Sequence, residues 1–131
     1  MKQIIFILLA FILIGCEQNH KKNYLLGTWE FVSGTDMETG EVKFLENDEK
    51  FIIVFKSDSV YEYDDPSSFY DDSSPDEVYA WTIKNDSLFY GNWEGVYVKE
   101  LTKVKLVLDV FGGFLGDWRI EYKRINEDKR Y

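Results

Sequence analysis

The sequence contains few of the residues on which catalytic and metal sites depend. Among 131 residues there are one cysteine, one histidine and two prolines. A single cysteine excludes an intramolecular disulfide, and the single histidine, His20, lies in a polar segment near the N-terminus. No glycine-rich phosphate loop and no cluster of metal ligands can be recognised. We therefore expect neither an enzyme nor a protein that binds a cofactor.

Basic residues are also scarce relative to acidic ones. The chain has 15 lysines and arginines against 24 aspartates and glutamates, which gives a net charge of −9. Such an acidic protein should be repelled by nucleic acid phosphates and by anionic membrane surfaces. The charge favours solubility in general. It also leaves open an alternative function as a protein-binding inhibitor or immunity-type protein that recognises a basic partner.

No apolar run reaches the roughly 20 residues that a membrane-spanning helix needs. The longest run, from Ile4 to Ile14, follows the basic Lys2. A short basic start before an apolar stretch of about 7–15 residues is typical of a secretory signal. The sequence therefore predicts a signal peptide over residues 1–15, a flexible tether over 16–23 and one domain over 24–131.

The apolar run ends in Leu13-Ile14-Gly15-Cys16, which resembles the lipobox of bacterial lipoproteins. The resemblance implies that Cys16 becomes the mature N-terminus and carries acyl chains such as palmitate. Two or more chains hold a protein stably on a bilayer. This implies a bacterial cell envelope location, with the outer membrane favoured over the inner and with either face open. An ordinary signal peptide with an incidental cysteine is the alternative. Cleavage would remove one lysine and no acid, changing the net charge from −9 to −10.

From Leu25 onward, apolar residues recur at a spacing of two in short runs separated by Gly, Asn, Asp and Ser. This pattern predicts about eight strands, antiparallel because most turns are short. Pairing the first strand with the last would remove both sheet edges. We therefore predict an all-β, antiparallel, up-and-down β-barrel. Val104 is expected to share an inward face with Leu106 and Leu108, and carboxylates are expected in loops or on outward faces.

Gly27-Thr28-Trp29 at the head of the first strand resembles the Gly-X-Trp signature of the lipocalin superfamily. Two further stretches, Phe55-Lys56-Ser57-Asp58 and Leu101-Thr102 before an apolar strand, are similar to short bacterial lipocalin-like lipoproteins. The resemblance implies that Gly27 and Trp29 form the base of the barrel. It also implies that a basic side chain from the last strand, Arg124 or alternatively Arg119, stacks on Trp29.

The inward aromatic and apolar residues are the candidates for a binding site. If the barrel has a pocket for a small apolar ligand, we expect it to be lined by Trp81, Leu106, Trp118 and Tyr122, although plain core packing is the simpler interpretation. The acidic stretch 64–77 could hold a cation through Asp64, Asp65, Asp71 and Asp72. It could also contact a protein through Phe69 and Tyr70. A solvated loop is the simpler interpretation of this stretch.

Overall fold

The computed structural model describes residues 21–46, 49–64, 74–91, 93–113 and 116–125. The predicted signal peptide, the lipid-attachment residue Cys16, His20 and most of the acidic stretch lie outside these residues. Within the described ranges, no helix is long and apolar enough to cross a bilayer.

Nine strands form one antiparallel sheet that closes on itself. The strands are β1 (Gly27–Asp36), β2 (Val42–Lys43), β3 (Ile52–Phe55), β4 (Ser59–Tyr63), β5 (Glu77–Lys84), β6 (Ser87–Tyr90), β7 (Trp93–Leu101), β8 (Lys105–Gly113) and β9 (Gly116–Arg124). Successive strands pair from β3 to β9, and β1 pairs with both β3 and β9. The two-residue β2 adds to β1 beyond the β1–β3 pairing. Eight strands therefore make the ring, and the predicted antiparallel barrel is confirmed.

The alternating pattern of β8 and β9 shows how the core forms. Leu106 lies directly opposite Tyr122, and Leu108 lies opposite Ile120. Because facing residues of paired strands project to the same side of a sheet, these apolar side chains share the interior. The main core combines Leu25, which precedes β1, with inward residues from every strand of the ring: Trp29, Ile53, Phe55, Val60, Trp81, Leu88, Val96, Val98, Leu106, Leu108, Val110 and Tyr122.

The two ends of the barrel differ. The short turns β3–β4, β5–β6 and β7–β8 all lie at one end, which we call the closed end. A helical turn at residues 21–25 also lies there, directly before β1. The connections from β2 to β3, from β4 to β5, from β6 to β7 and from β8 to β9 leave from the opposite end, which we call the open end.

The helical turn extends the ordered domain into the segment that the sequence assigned to the tether. Leu25 is fully buried in the main core, and the Leu26 amide donates a hydrogen bond to the Lys22 carbonyl at 3.3 Å. Burial of one leucine side chain contributes about 1.5–3 kcal/mol, enough to hold a short turn that has little intrinsic stability. Residues 21–25 thus form a helical turn that is joined to the barrel through Leu25.

Val104 does not face the interior, and that prediction is wrong. It lies in the β7–β8 turn with 69% of its surface exposed. The Thr102 hydroxyl oxygen accepts hydrogen bonds from the amides of Val104 and Lys105, at 3.3 and 3.0 Å. A hydroxyl that binds nearby amides stabilises a turn in place of a strand, so β8 begins one residue later than the alternation predicts.

The outer surface of the sheet also has buried parts. Ile52, Val54 and Tyr63 form a second apolar cluster on this surface, packed against Ile125. This explains why β3 is apolar on both faces. Elsewhere, Asp109 faces outward but is buried, and Arg119 binds it through Nε–Oδ1 at 2.7 Å and Nη2–Oδ2 at 2.9 Å.

Candidate functional site

Trp29 and Arg124 seal the closed end. Trp29 is fully buried, and its Nε1–H donates to the Leu25 carbonyl at 2.9 Å. The Arg124 Cζ lies 4.3 Å from the centre of the Trp29 ring. Its Nη1 donates to the Leu26 carbonyl at 2.8 Å and its Nε to the Lys103 carbonyl at 2.6 Å. One guanidinium therefore joins β9, the residues leading into β1, the β7–β8 turn and the base tryptophan.

Arg119 occupies a different environment from Arg124. Its guanidinium lies on the outer face of β9, paired with Asp109. The hydrogen bond and the charge of Asp109 raise the pKa of Arg119. Of the two arginines proposed from sequence, the one beside Trp29 is Arg124.

Two of the four predicted ligand-lining residues belong to the closed end. The Trp81 Nε1–H donates to the Lys56 carbonyl in the β3–β4 turn at 2.6 Å. The Trp81 ring packs edge-on against Phe55, with ring centres 5.1 Å apart. The Lys22 amine lies 5.7 Å from the centre of the Trp81 ring. Leu106 is fully buried opposite Leu101, close to the β7–β8 turn. These side chains form the floor of the interior.

The other two lie farther along the barrel. Tyr122 is buried and meets Phe31 edge-on, with ring centres 6.1 Å apart. Trp118 is half-buried near the open end, packed over Gly34, with the Lys43 amine 5.5 Å from its ring centre. The four predicted residues are therefore spread from floor to open end and do not form one ring.

The interior also contains acidic side chains that the sequence did not indicate. Glu62 lies opposite the core residue Ile53 on one side and opposite Glu77 on the other. It is two residues beyond Val60, which is fully buried in the same core. Since alternate residues of a strand face the same side, Glu62 and Glu77 lie on the inward face of the sheet, where Glu62 is half-buried and Glu77 is exposed. The expectation that carboxylates lie in loops or on outward faces is wrong for both.

Tyrosines surround Glu62 within the lumen. Tyr79 and Tyr90 pack with ring centres 6.0 Å apart. Burial raises the pKa values of Tyr90 and Tyr122, and the charge of Glu62 contributes to both shifts. Glu62, Tyr90 and Tyr122 belong to β4, β6 and β9, which are not neighbours in the sheet. Their side chains can therefore approach each other only across the lumen. We call Glu62, Tyr79, Tyr90 and Tyr122 the lumen site.

The environment of Glu62 changes its acidity. Desolvation, followed by the nearby charges of Asp64 and Glu77, raises its pKa from 4.5 to about 7. At neutral pH the carboxyl group is thus present in both forms. Its anion can bind a cation and its acid can donate a hydrogen bond, whereas the surrounding rings offer apolar contact.

Replacing Glu62 with glutamine should make stability less dependent on pH. Because the folded-state pKa is raised, the wild-type group contributes stability below about pH 4.5, and this contribution is lost as pH rises through 7. Solvent screening at this half-buried position reduces the effect to about 1–2 kcal/mol. Glu62→Gln should therefore raise the urea midpoint at pH 8 and leave it nearly unchanged at pH 4.5. An equal effect at both pH values would contradict the assigned environment.

In the described ranges, no three His, Cys, Asp or Glu side chains are placed to hold a metal ion. Of the acidic stretch, Asp65, Phe69, Tyr70, Asp71 and Asp72 fall outside the described residues. A separate depression of about 490 Å³ lies outside the barrel beside the helical turn, where Lys21 and Asp86 form an ion pair.

The fold and interior together define the class of protein. A closed antiparallel barrel, sealed at one end by a tryptophan and an arginine and lined toward the other by aromatic side chains, is a lipocalin-like barrel. The family model described as a lipocalin-like domain matches residues 25–108, more than half of the chain, and the chain belongs to this family. No curated protein and no solved structure matches the chain significantly. The resemblance predicted from Gly27-Thr28-Trp29 is thereby confirmed at the level of the domain.

Proposed function

We propose that this protein is a membrane-anchored lipoprotein of the bacterial cell envelope whose barrel binds a small apolar ligand. The observation that carries the ligand-binding part is the barrel itself, a lipocalin-like domain with a sealed floor and an aromatic-lined open half. Trp29, Arg124 and the helical turn cover the closed end, so a ligand would enter through the open end.

Co-purification tests the ligand part of this proposal. Protein taken from its native host should carry a small molecule that native mass spectrometry detects and that organic solvent extracts. Ile120 is half-buried and packs on the core, so Ile120→Trp should fill interior space and reduce ligand occupancy. Circular dichroism would establish that the variant is folded. A wild-type barrel that carries no ligand and binds none from an envelope lipid extract would overturn this part.

The sequence Gly15-Cys16 supports the anchor part of the proposal. Growth with a labelled palmitate should label the wild-type protein and place it in the membrane fraction, favouring the outer membrane. Cys16→Ser should abolish both results. Cys16→Ala serves as a second non-acylated variant. Unlabelled wild-type protein with a free Cys16 thiol would contradict the anchor.

Recognition of a basic protein is the competing function, favoured by the net charge of −9. Binding of this kind should weaken as salt rises, because screening reduces attraction between charged surfaces. Pull-down at low and high salt, with and without residues 64–77, separates the two functions. Loss of a basic partner on deleting this stretch, together with an empty barrel, would favour the alternative.

A further inference from the structure

We propose that the lumen site binds a small organic cation: an ammonium group on an apolar body, with the Glu62 carboxylate as its counter-ion. This inference rests on the proposed ligand-binding function and adds that the ligand is positively charged. The apolar body would occupy the space above the floor formed by Trp81 and Leu106. The ammonium group would lie between Glu62 and the rings of Tyr79 and Tyr90.

The Tyr122 hydroxyl provides independent evidence of space at this site. Tyr122 is only 4% exposed, yet no hydrogen bond joins its hydroxyl to another described residue. Among the described residues, no fully buried side-chain oxygen or nitrogen lacks a partner. The hydroxyl must therefore border space that a water molecule can reach. Because Tyr122 faces inward, this space lies in the lumen. A buried hydroxyl beside open space can bind a polar group of a ligand.

The rings around Glu62 suit a cation better than an anion or a neutral head. An ammonium group is attracted to the electron-rich face of an aromatic ring, and a charge-assisted hydrogen bond to a carboxylate is stronger than a neutral one. Glu77 lies beside Glu62 on the same inward face of the sheet, although it is exposed. Two inward carboxylates would repel a fatty acid and attract an amine, and the acidic chain as a whole acts in the same direction.

The groups that face Glu62 set the pH dependence of binding. The titratable groups around Glu62 come from several elements. They are Asp64 directly after β4, Glu77 and Tyr79 on β5, Tyr90 on β6 and Tyr122 on β9. The facing residue on β3 is the non-titratable Ile53. The tyrosines stay neutral below pH 9 because their pKa values are raised. Ionisation of Glu62 near pH 7 should therefore control cation affinity.

Three probes with one apolar chain and different heads test the inference: octylamine, 1-octanol and octanoate. Isothermal titration calorimetry of the purified protein should show octylamine binding at least about tenfold more tightly than the other two at pH 8, the ratio given by about 1.4 kcal/mol. Lowering the pH to 5.5 should weaken octylamine binding about tenfold, since only the ionised fraction of Glu62 is competent. Octanol binding should not change with pH.

Matched variants identify the responsible carboxylate. Glu62→Gln should weaken octylamine binding about tenfold and leave octanol binding intact. Glu100→Gln removes the same charge from the exposed outer face of the barrel and should have no effect. Equal affinity for all three probes, or equal effects of the two variants, would overturn the cation inference and leave the proposed ligand-binding function standing. Failure of every probe to bind would overturn both.

Discussion

Replacing Trp29 with alanine is expected to reduce the free energy of unfolding by about 3–5 kcal/mol, the usual cost of truncating a buried aromatic residue. Trp29 is fully buried, supports the Arg124 guanidinium and donates a hydrogen bond to Leu25. Small domains have total stabilities of about 5–15 kcal/mol, so the variant should lose a large share. Its melting temperature should fall by roughly 15–30 °C, measured by far-ultraviolet circular dichroism.

Trp29→Phe is the matched control for this result. The phenyl ring keeps most of the buried volume and a surface for Arg124 but removes the indole N–H, which leaves the Leu25 carbonyl without this donor. One lost hydrogen bond of this kind costs about 0.5–1.5 kcal/mol, so the control should be much less damaging than alanine. A loss below 1 kcal/mol for Trp29→Ala would show that the closed end does not depend on this side chain.

Replacing Arg124 with methionine should have the second largest effect, about 2–4 kcal/mol. Methionine retains an apolar stem but loses the donors that bind the carbonyls of Leu26 and Lys103, together with the contact over Trp29. Hydrogen bonds from charged groups contribute about 1.5–3 kcal/mol each when buried. Partial exposure of Arg124 to solvent lowers their sum. Urea unfolding gives the total loss.

The region that is destabilised shows whether Arg124 holds the closed end specifically or only contributes to general packing. In Arg124→Met, hydrogen exchange should accelerate at the amides of residues 22–29, which the guanidinium holds against β9. Arg124→Lys keeps the charge, but one ammonium group cannot reach carbonyls on two separate segments, so it should recover only part of the stability. Full recovery by lysine would show that charge alone is required. Arg119→Lys, on the outer face, should leave exchange at residues 22–29 unchanged.

The closed sheet could be predicted from sequence because its strands repeat one signal. Along β9, polar and apolar residues alternate from Asp117 to Lys123. The inward residues of β8 recur at the same spacing, and each has an apolar partner across the pair, as Leu108 does with Ile120. Burial of one face then determines both the pairing and the register. The Gly27-Thr28-Trp29 opening adds the family, which the match over residues 25–108 confirms.

The position of Glu62 could not be predicted from the same signal. In Val60-Tyr61-Glu62-Tyr63, one face of the strand carries Val60 and Glu62 and the other carries Tyr61 and Tyr63. Each face has an apolar or aromatic residue, so the alternation alone does not decide which face points inward. The neighbouring strand β3 is apolar on both faces and cannot decide between them. The choice is made by the second apolar cluster, in which Tyr63 packs on the outer surface and so directs Glu62 inward. Such a decision depends on contacts distant in sequence, beyond any local pattern.

In the proposed anchored state, the helical turn at residues 21–25 would place the closed end of the barrel nearest the bilayer. Any lipid carried by Cys16 would be joined to the barrel through only the few residues before Lys21, on the side of the domain opposite its entrance. The short link would keep the sealed base next to the bilayer and direct the entrance toward the aqueous compartment. Under this proposal, a ligand would reach the barrel from the aqueous side.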